Sequence, residues 1–177
     1  MKLRNFTKTG LMILLCGLLA ACQTSGLKPG SIQTNYAPSG WTKKTKNGVT
    51  GYICQPPVCK SDRAIGYGPI RVSGNFEKEI KENDISAELF NAVANVYNVA
   101  AKGKTRMSIT RRVVTKTYAG FDFSGYIHDR KGRVWLKGRF VVQENRGSVI
   151  FSGARSRSVA NTYFNRYIRN TTIRRLP

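Results

Sequence analysis

The sequence predicts an α+β fold, an antiparallel β-sheet meander with packed helices forming a single compact domain after a flexible tether. Three observations predict it. Between residues 105 and 156 four stretches alternate apolar and polar side chains, joined by the short links Ala119-Gly120, Asp129-Arg130-Lys131-Gly132 and Glu144-Asn145-Arg146-Gly147. Residues 84–101 instead place apolar side chains at three- and four-residue steps, the period of a helix. Residues 23–39 are mostly small and polar, with only Leu27, Ile32 and Tyr36 to offer a core.

The N-terminal segment has a basic head of Lys2, Arg4 and Lys8, an apolar stretch from Leu11 to Leu19, and then Leu19-Ala20-Ala21-Cys22. The apolar stretch is far shorter than the roughly 20 residues that cross a bilayer as a helix. The last four residues resemble the lipobox of bacterial lipoproteins. That resemblance implies a signal peptide over residues 1–21, cleaved before Cys22, and a lipid on Cys22 that ties the protein to a membrane. Gln23 stands where that family places Asp for inner-membrane retention, which implies the outer membrane, facing the periplasm. Residues 22–40 are then read as the lipidated N-terminus and tether, and residues 41–177 as the domain.

Within the domain, Asn47-Gly48 between residues 41–46 and 49–54 predicts a hairpin with a tight turn, since both residues accept positive backbone angles. Residues 65–72 read as a strand that Pro69 confines to an edge or an end. Residues 76–82 are charged and fit either a strand or a helix, and their glutamates read as solvated. Asn83 or Asp84 caps the helix over residues 84–101, which ends at Lys102-Gly103-Lys104. Its stripe of Ile85, Leu89, Ala92, Val93, Val96 and Val99 or Ala100 is read as the face that packs on the core. The strands at 105–117, 121–128, 133–143 and 148–156 follow, and a helix over 158–170 turns Val159, Tyr163, Phe164, Tyr167 and Ile168 toward the sheet. This order of elements over residues 41–170 is similar to the PsbP/Mog1-like domains of exported bacterial lipoproteins, a likeness of topology without a diagnostic motif.

Four cysteines divide by position. Cys16 lies in the signal segment and Cys22 is the lipid site, which leaves Cys54 and Cys59 to form a disulfide outside the cytoplasm. The charge is strongly positive, +21 for the chain and +18 once Lys2, Arg4 and Lys8 are removed. Such a field gathers anions. Export sets nucleic acid aside and leaves anionic lipid, lipopolysaccharide or glycan.

Catalytic, cofactor and metal sites are not expected. One histidine, His128, and nine acids supply no nucleophile, base and orienting group in a recognisable spacing. The pattern of cations is more specific. In an extended segment Arg133, Trp135, Lys137 and Arg139 share one face, and in the preceding strand Arg106, Arg112 and Lys116 alternate away from Met107, Ile109 and Val113. The expectation is a cationic sheet face with a tryptophan, suited to phosphate or carboxylate groups. Arg166, Arg169, Arg174 and Arg175 form a second basic cluster at the C-terminus. The expected function is that of a non-enzymatic envelope lipoprotein binding or organising an anionic envelope component. The alternative is a structural accessory subunit that docks on another envelope protein or assembly complex.

Overall fold

Alternating side chains, glycine-bearing turns and two amphipathic helical stretches assemble into a seven-stranded antiparallel sheet in the computed structural model, which describes residues 26–177. The strands are β2 (Thr42–Lys46), β3 (Val49–Cys54), β4 (Arg63–Ile70), β5 (Thr105–Val114), β6 (Ala119–Asp129), β7 (Gly132–Gln143) and β8 (Arg146–Ala154). Their spatial order is β2-β3-β4-β8-β7-β6-β5, so the predicted meander β5 to β8 joins a three-stranded meander through the β4–β8 pair. Asn47 and Gly48 both have positive φ at the β2–β3 turn, as their sequence requires. Pro69 sits at the end of β4, past the last rung with β3, although β4 lies inside the sheet.

Helices cover both faces. On one, α3 (Arg157–Arg169) buries Ala160, Phe164 and Tyr167 against Ile65, Val141 and Ile150. On the other, α1 (Phe76–Glu82) and α2 (Ala87–Ala100) cover Ile109, Ala119, Phe121, Phe123 and Val142. The single-domain α+β reading describes this architecture.

Residues 26–40 are not a tether. Ile32–Thr34 forms β1, which pairs antiparallel with β9 (Thr171–Ile173) near the other end of the chain. Ser31 and Ile32 are buried, Leu27 donates its amide to Ser148 Oγ at 3.2 Å, and Tyr36 packs edge-on against Tyr167. The three apolar residues of this segment suffice because each meets a prepared surface, and the backbone partner lies about 140 residues away in sequence. Cys22 and residues 1–21, read above as a signal peptide, lie outside the described residues.

Glu77 is likewise not solvated. It is 4 % exposed, accepts the Glu144 amide at 2.7 Å, and pairs with Lys81 and with Arg175 of the C-terminal segment. Burial alone would raise its pKa, but these donors outweigh it and hold the carboxyl below its usual value.

The largest departure concerns α2. Ile85, just before the helix, packs on the core as read, but Leu89, Val93, Val96 and Val99 are 51, 62, 72 and 80 % exposed, so the rest of the stripe faces outward. The helix instead docks through Phe90, which packs on Phe76 and Phe121, and through two asparagines. Asn91 Nδ2 donates to the Ile109 carbonyl at 3.0 Å while Asn91 Oδ1 accepts the Ile109 amide at 2.7 Å. Asn98 repeats the arrangement on Met107, at 2.9 Å in both directions. The side-chain amides thus act as a surrogate strand along β5, satisfying backbone groups that an edge leaves open. A face containing asparagines reads as polar in sequence, which is why the opposite, purely aliphatic face looked like the core.

Candidate functional site: a cationic and aromatic sheet end

Strand alternation places Arg133, Trp135, Lys137 and Arg139 of β7 on one face, opposite His128, Tyr126, Ser124 and Asp122 of β6. Arg106 of β5 joins them as the partner of Tyr126. This is the face that α3 covers farther along, over β8, β7 and β4. Five of the seven predicted cationic-face residues therefore share it.

Arg112 and Lys116 do not. A register shift between Ile109 and Arg111 inserts an extra residue into β5 and exchanges its faces beyond that point. Arg111 consequently turns to Asp122, whereas Arg112 turns to the α1 side and donates to the Ile80 carbonyl at 2.8 Å. Lys116 follows the end of β5 in the turn before β6 and is exposed at the other end of the sheet. Strict alternation cannot show a bulge, so the period fails from Thr110 onward.

The shared face divides into two parts with different chemistry. Its inner part is a structural ion cluster. Asp122, 5 % exposed, accepts Arg139 Nε at 2.6 Å and Nη2 at 3.2 Å, and accepts Arg111 Nε at 3.0 Å and Nη2 at 2.7 Å. Arg139 Nη1 also donates to the Tyr118 hydroxyl at 2.8 Å. Burial works against ionisation of Asp122, yet the two guanidinium groups, Arg139 foremost, hold its carboxyl below the usual range. Arg139 is thereby a fixed internal cation and not a free anion ligand.

The outer part is open. Arg133 lies over the Tyr126 ring, 4.4 Å from its centre, and 5.3 Å from the centre of Trp135. Arg157, at the start of α3, lies 5.6 Å from the centre of Trp135. Tyr126 meets Trp135 and His128 edge to face, and Arg133 Nε approaches His128 Nε2 at 3.4 Å. Lys137 borders both parts. Partial burial lowers its pKa below the usual lysine value, Asp122 partly offsets this, and Arg111, Arg139 and Arg157 add to the lowering. Such a frame holds guanidinium planes in fixed orientation beside aromatic area, which suits planar or tetrahedral anions carried on an amphipathic molecule.

The acids at this end are already engaged. Asp129 accepts Arg155 through both oxygens at 2.8 Å, and Asp62 pairs with Lys131 at 3.3 Å and Arg155 at 3.6 Å. His128 and Asp129 therefore point to different partners and form no acid–base pair. Cys54 and Cys59 are bonded, with Cα atoms 5.8 Å apart, closing the loop between β3 and β4 at the same end. Among the described residues there is no cluster of His, Cys, Asp and Glu that could hold a metal ion.

Sequence reasoning missed Tyr126, Arg157 and Arg111. The first two were legible only through pairing, since Tyr126 opposes Trp135 across β6 and β7 and Arg157 arrives from a helix. The lone acid Asp122 inside an otherwise apolar strand was a signal for a buried cation partner.

No protein-family model matches the chain, and no curated protein matches it. Among solved structures it is similar to the solution structure of cyanobacterial PsbP (CyanoP) from Synechocystis sp. PCC 6803, at 11 % identity and a TM-score of 0.46, covering 89 % of this chain and 99 % of that one. No described helix is long and apolar enough to cross a membrane.

Proposed function

We propose that this chain is a non-enzymatic lipoprotein of the bacterial envelope, held to the outer membrane through Cys22, whose cationic and aromatic end binds an anionic envelope component. The observation that carries the reading is the Arg133 guanidinium laid on the Tyr126 and Trp135 rings, with Arg157 also on Trp135 and Arg106 and Lys137 on the same sheet face. Solubility needs charge but not guanidinium groups oriented on rings. The Cys54–Cys59 disulfide fits an oxidising compartment such as the periplasm.

The test is co-sedimentation of a protein beginning at Gln23, which retains every described element, with neutral liposomes, anionic liposomes, lipopolysaccharide and peptidoglycan at low and high salt. The expected result is binding to an anionic member that weakens with salt and falls in Arg133→Glu/Lys137→Glu. Arg139→Glu is unsuitable because it would place an acid beside Asp122 in the buried cluster. No salt-sensitive binding to any of the four would reject the reading in favour of docking on an envelope protein.

A further inference from the structure

We infer that the outward stripe of α2 is a membrane-docking surface that enters an anionic phospholipid bilayer, with Lys102 and Lys104 at headgroup level. At 100° per residue, Leu89, Ala92, Val93, Val96, Val99 and Ala100 fall within an arc of about 120°, opposite the arc that carries Phe90, Asn91, Ala94 and Asn98 onto the sheet. This continuous aliphatic arc, on a helix fixed to the sheet edge from behind, has no covering element among the described residues.

Two gradients along the helix point the same way. Exposure rises from Leu89 at 51 % to Val99 at 80 %, so the C-terminal half stands out most from the body. Charge changes from acidic at Asp84 and Glu88 to basic at Lys102, Lys104 and Arg106. The most exposed apolar residues are therefore the ones beside the cations. Lys102 and Lys104 also share an open depression with His128 and Asp129 at the end of β6 and with Arg130, Asp129 being held by Arg155, and the Lys104 carbonyl accepts the His128 amide at 2.8 Å. Lys102, Lys104, Arg106 and Arg130 have no carboxylate partner among the described residues.

The choice of occupant follows from size and charge. Covering the four aliphatic side chains removes roughly 400 Å² of mostly apolar surface, about half of the roughly 800 Å² per partner of a stable interface. Two copies would also bring like net charges of +18 together. A bilayer requires no complementary groove, accepts a narrow convex stripe, and supplies phosphates where the lysines lie. The inference deepens the anion-binding reading by naming a lipid surface as the component, and it rests on that reading for the electrostatic part alone.

The experiment uses the protein beginning at Gln23 and the variant Val93→Gln/Val96→Gln/Val99→Gln, which changes exposed positions and keeps good helix formers. Both are titrated with phosphatidylcholine vesicles, with vesicles containing one quarter phosphatidylglycerol, and with soluble polyphosphate, and circular dichroism verifies that the helices persist. The expected result is preference for the anionic vesicles, with about tenfold or greater loss of vesicle affinity in the variant and unchanged polyphosphate binding. Equal vesicle affinity of the two proteins, or no vesicle binding by the unaltered one, overturns the inference while polyphosphate binding still upholds anion recognition. Absence of polyphosphate binding by the unaltered protein as well rejects both readings, and its loss in the variant alone overturns the lipid assignment. Concentration-dependent dimers in sedimentation equilibrium that the variant abolishes would assign the stripe to a second copy and overturn the lipid assignment.

Discussion

Replacing Asp122 with asparagine removes one negative charge from between two guanidinium groups while keeping the side-chain shape. The two arginines differ sharply in what this costs. The Arg139 side chain is 11 % exposed and Arg111 is 66 % exposed. Without the carboxylate charge Arg139 is a buried cation left with neutral acceptors, the amide oxygen at position 122 and the Tyr118 hydroxyl. Breaking a buried pair from one side typically costs about 3–5 kcal/mol, and the tyrosine places Asp122→Asn near the lower end, about 3 kcal/mol. For a domain of this size that corresponds to a fall in Tm of about 6–12 °C. Arg111→Ala, by contrast, removes a largely solvated partner and should cost less than about 1 kcal/mol. Urea titrations at pH 7 measure both. The acid limb supplies a second readout. The folded Asp122 pKa lies below its unfolded value, so its stabilisation is complete above the unfolded value of about 4 and is lost as pH falls through the folded value. The unaltered protein should therefore lose stability on acidification more steeply than Asp122→Asn over that window. Equal costs for Asp122→Asn and Arg111→Ala, or a loss under about 1 kcal/mol for the former, would refute the assignment of a buried ion cluster.

Other expectations follow from single contacts. Cys54→Ser/Cys59→Ser should lower stability by about 2 kcal/mol, the loop-closure value for so short a ring, measured by urea titration against the oxidised protein. Asn91→Ala/Asn98→Ala should speed hydrogen exchange at the Met107 and Ile109 amides by about 30-fold, since each asparagine makes two bonds worth about 1 kcal/mol apiece, while amides of central β8 stay protected. Glu77 is also held below its ordinary pKa, so its pairing with Arg175 persists above the unfolded carboxylate value and fails as pH falls through the folded one; NMR of the Arg174 and Arg175 amides should report release of the tail there, and Glu77→Gln should release it already at pH 7.

What was legible in the sequence was whatever depends on neighbours along the chain. The Asn47-Gly48 turn, the β5 to β8 meander and the inward side of α3 rest on local backbone angles and two- or 3.6-residue periods. Distant pairing was not legible. β1 needs β9, Glu77 needs Arg175, and Asn91 and Asn98 need the open edge of β5, so each of these residues looked polar or idle by itself. At the candidate site the β7 residues Arg133, Trp135, Lys137 and Arg139 followed from alternation, whereas one inserted residue in β5 moved Arg112 to the opposite face and brought Arg111 forward.

The clasp of β1 on β9 gives the molecule a direction. Gly26 lies against Pro69 and Ser148, and Arg174 donates its amide to the Ser31 carbonyl, so the chain joins and leaves the fold at the Ser148 end of the sheet. Arg133 and His128 lie at the other end, nine residues of β7 or about 30 Å away. A pull at Gly26 is thus delivered at one pole, while the Arg133, Tyr126 and Trp135 cluster occupies the other. Force applied at Gly26 would therefore load the β1–β9 clasp and the end of β4 before it reached the pole that carries Arg133 and His128.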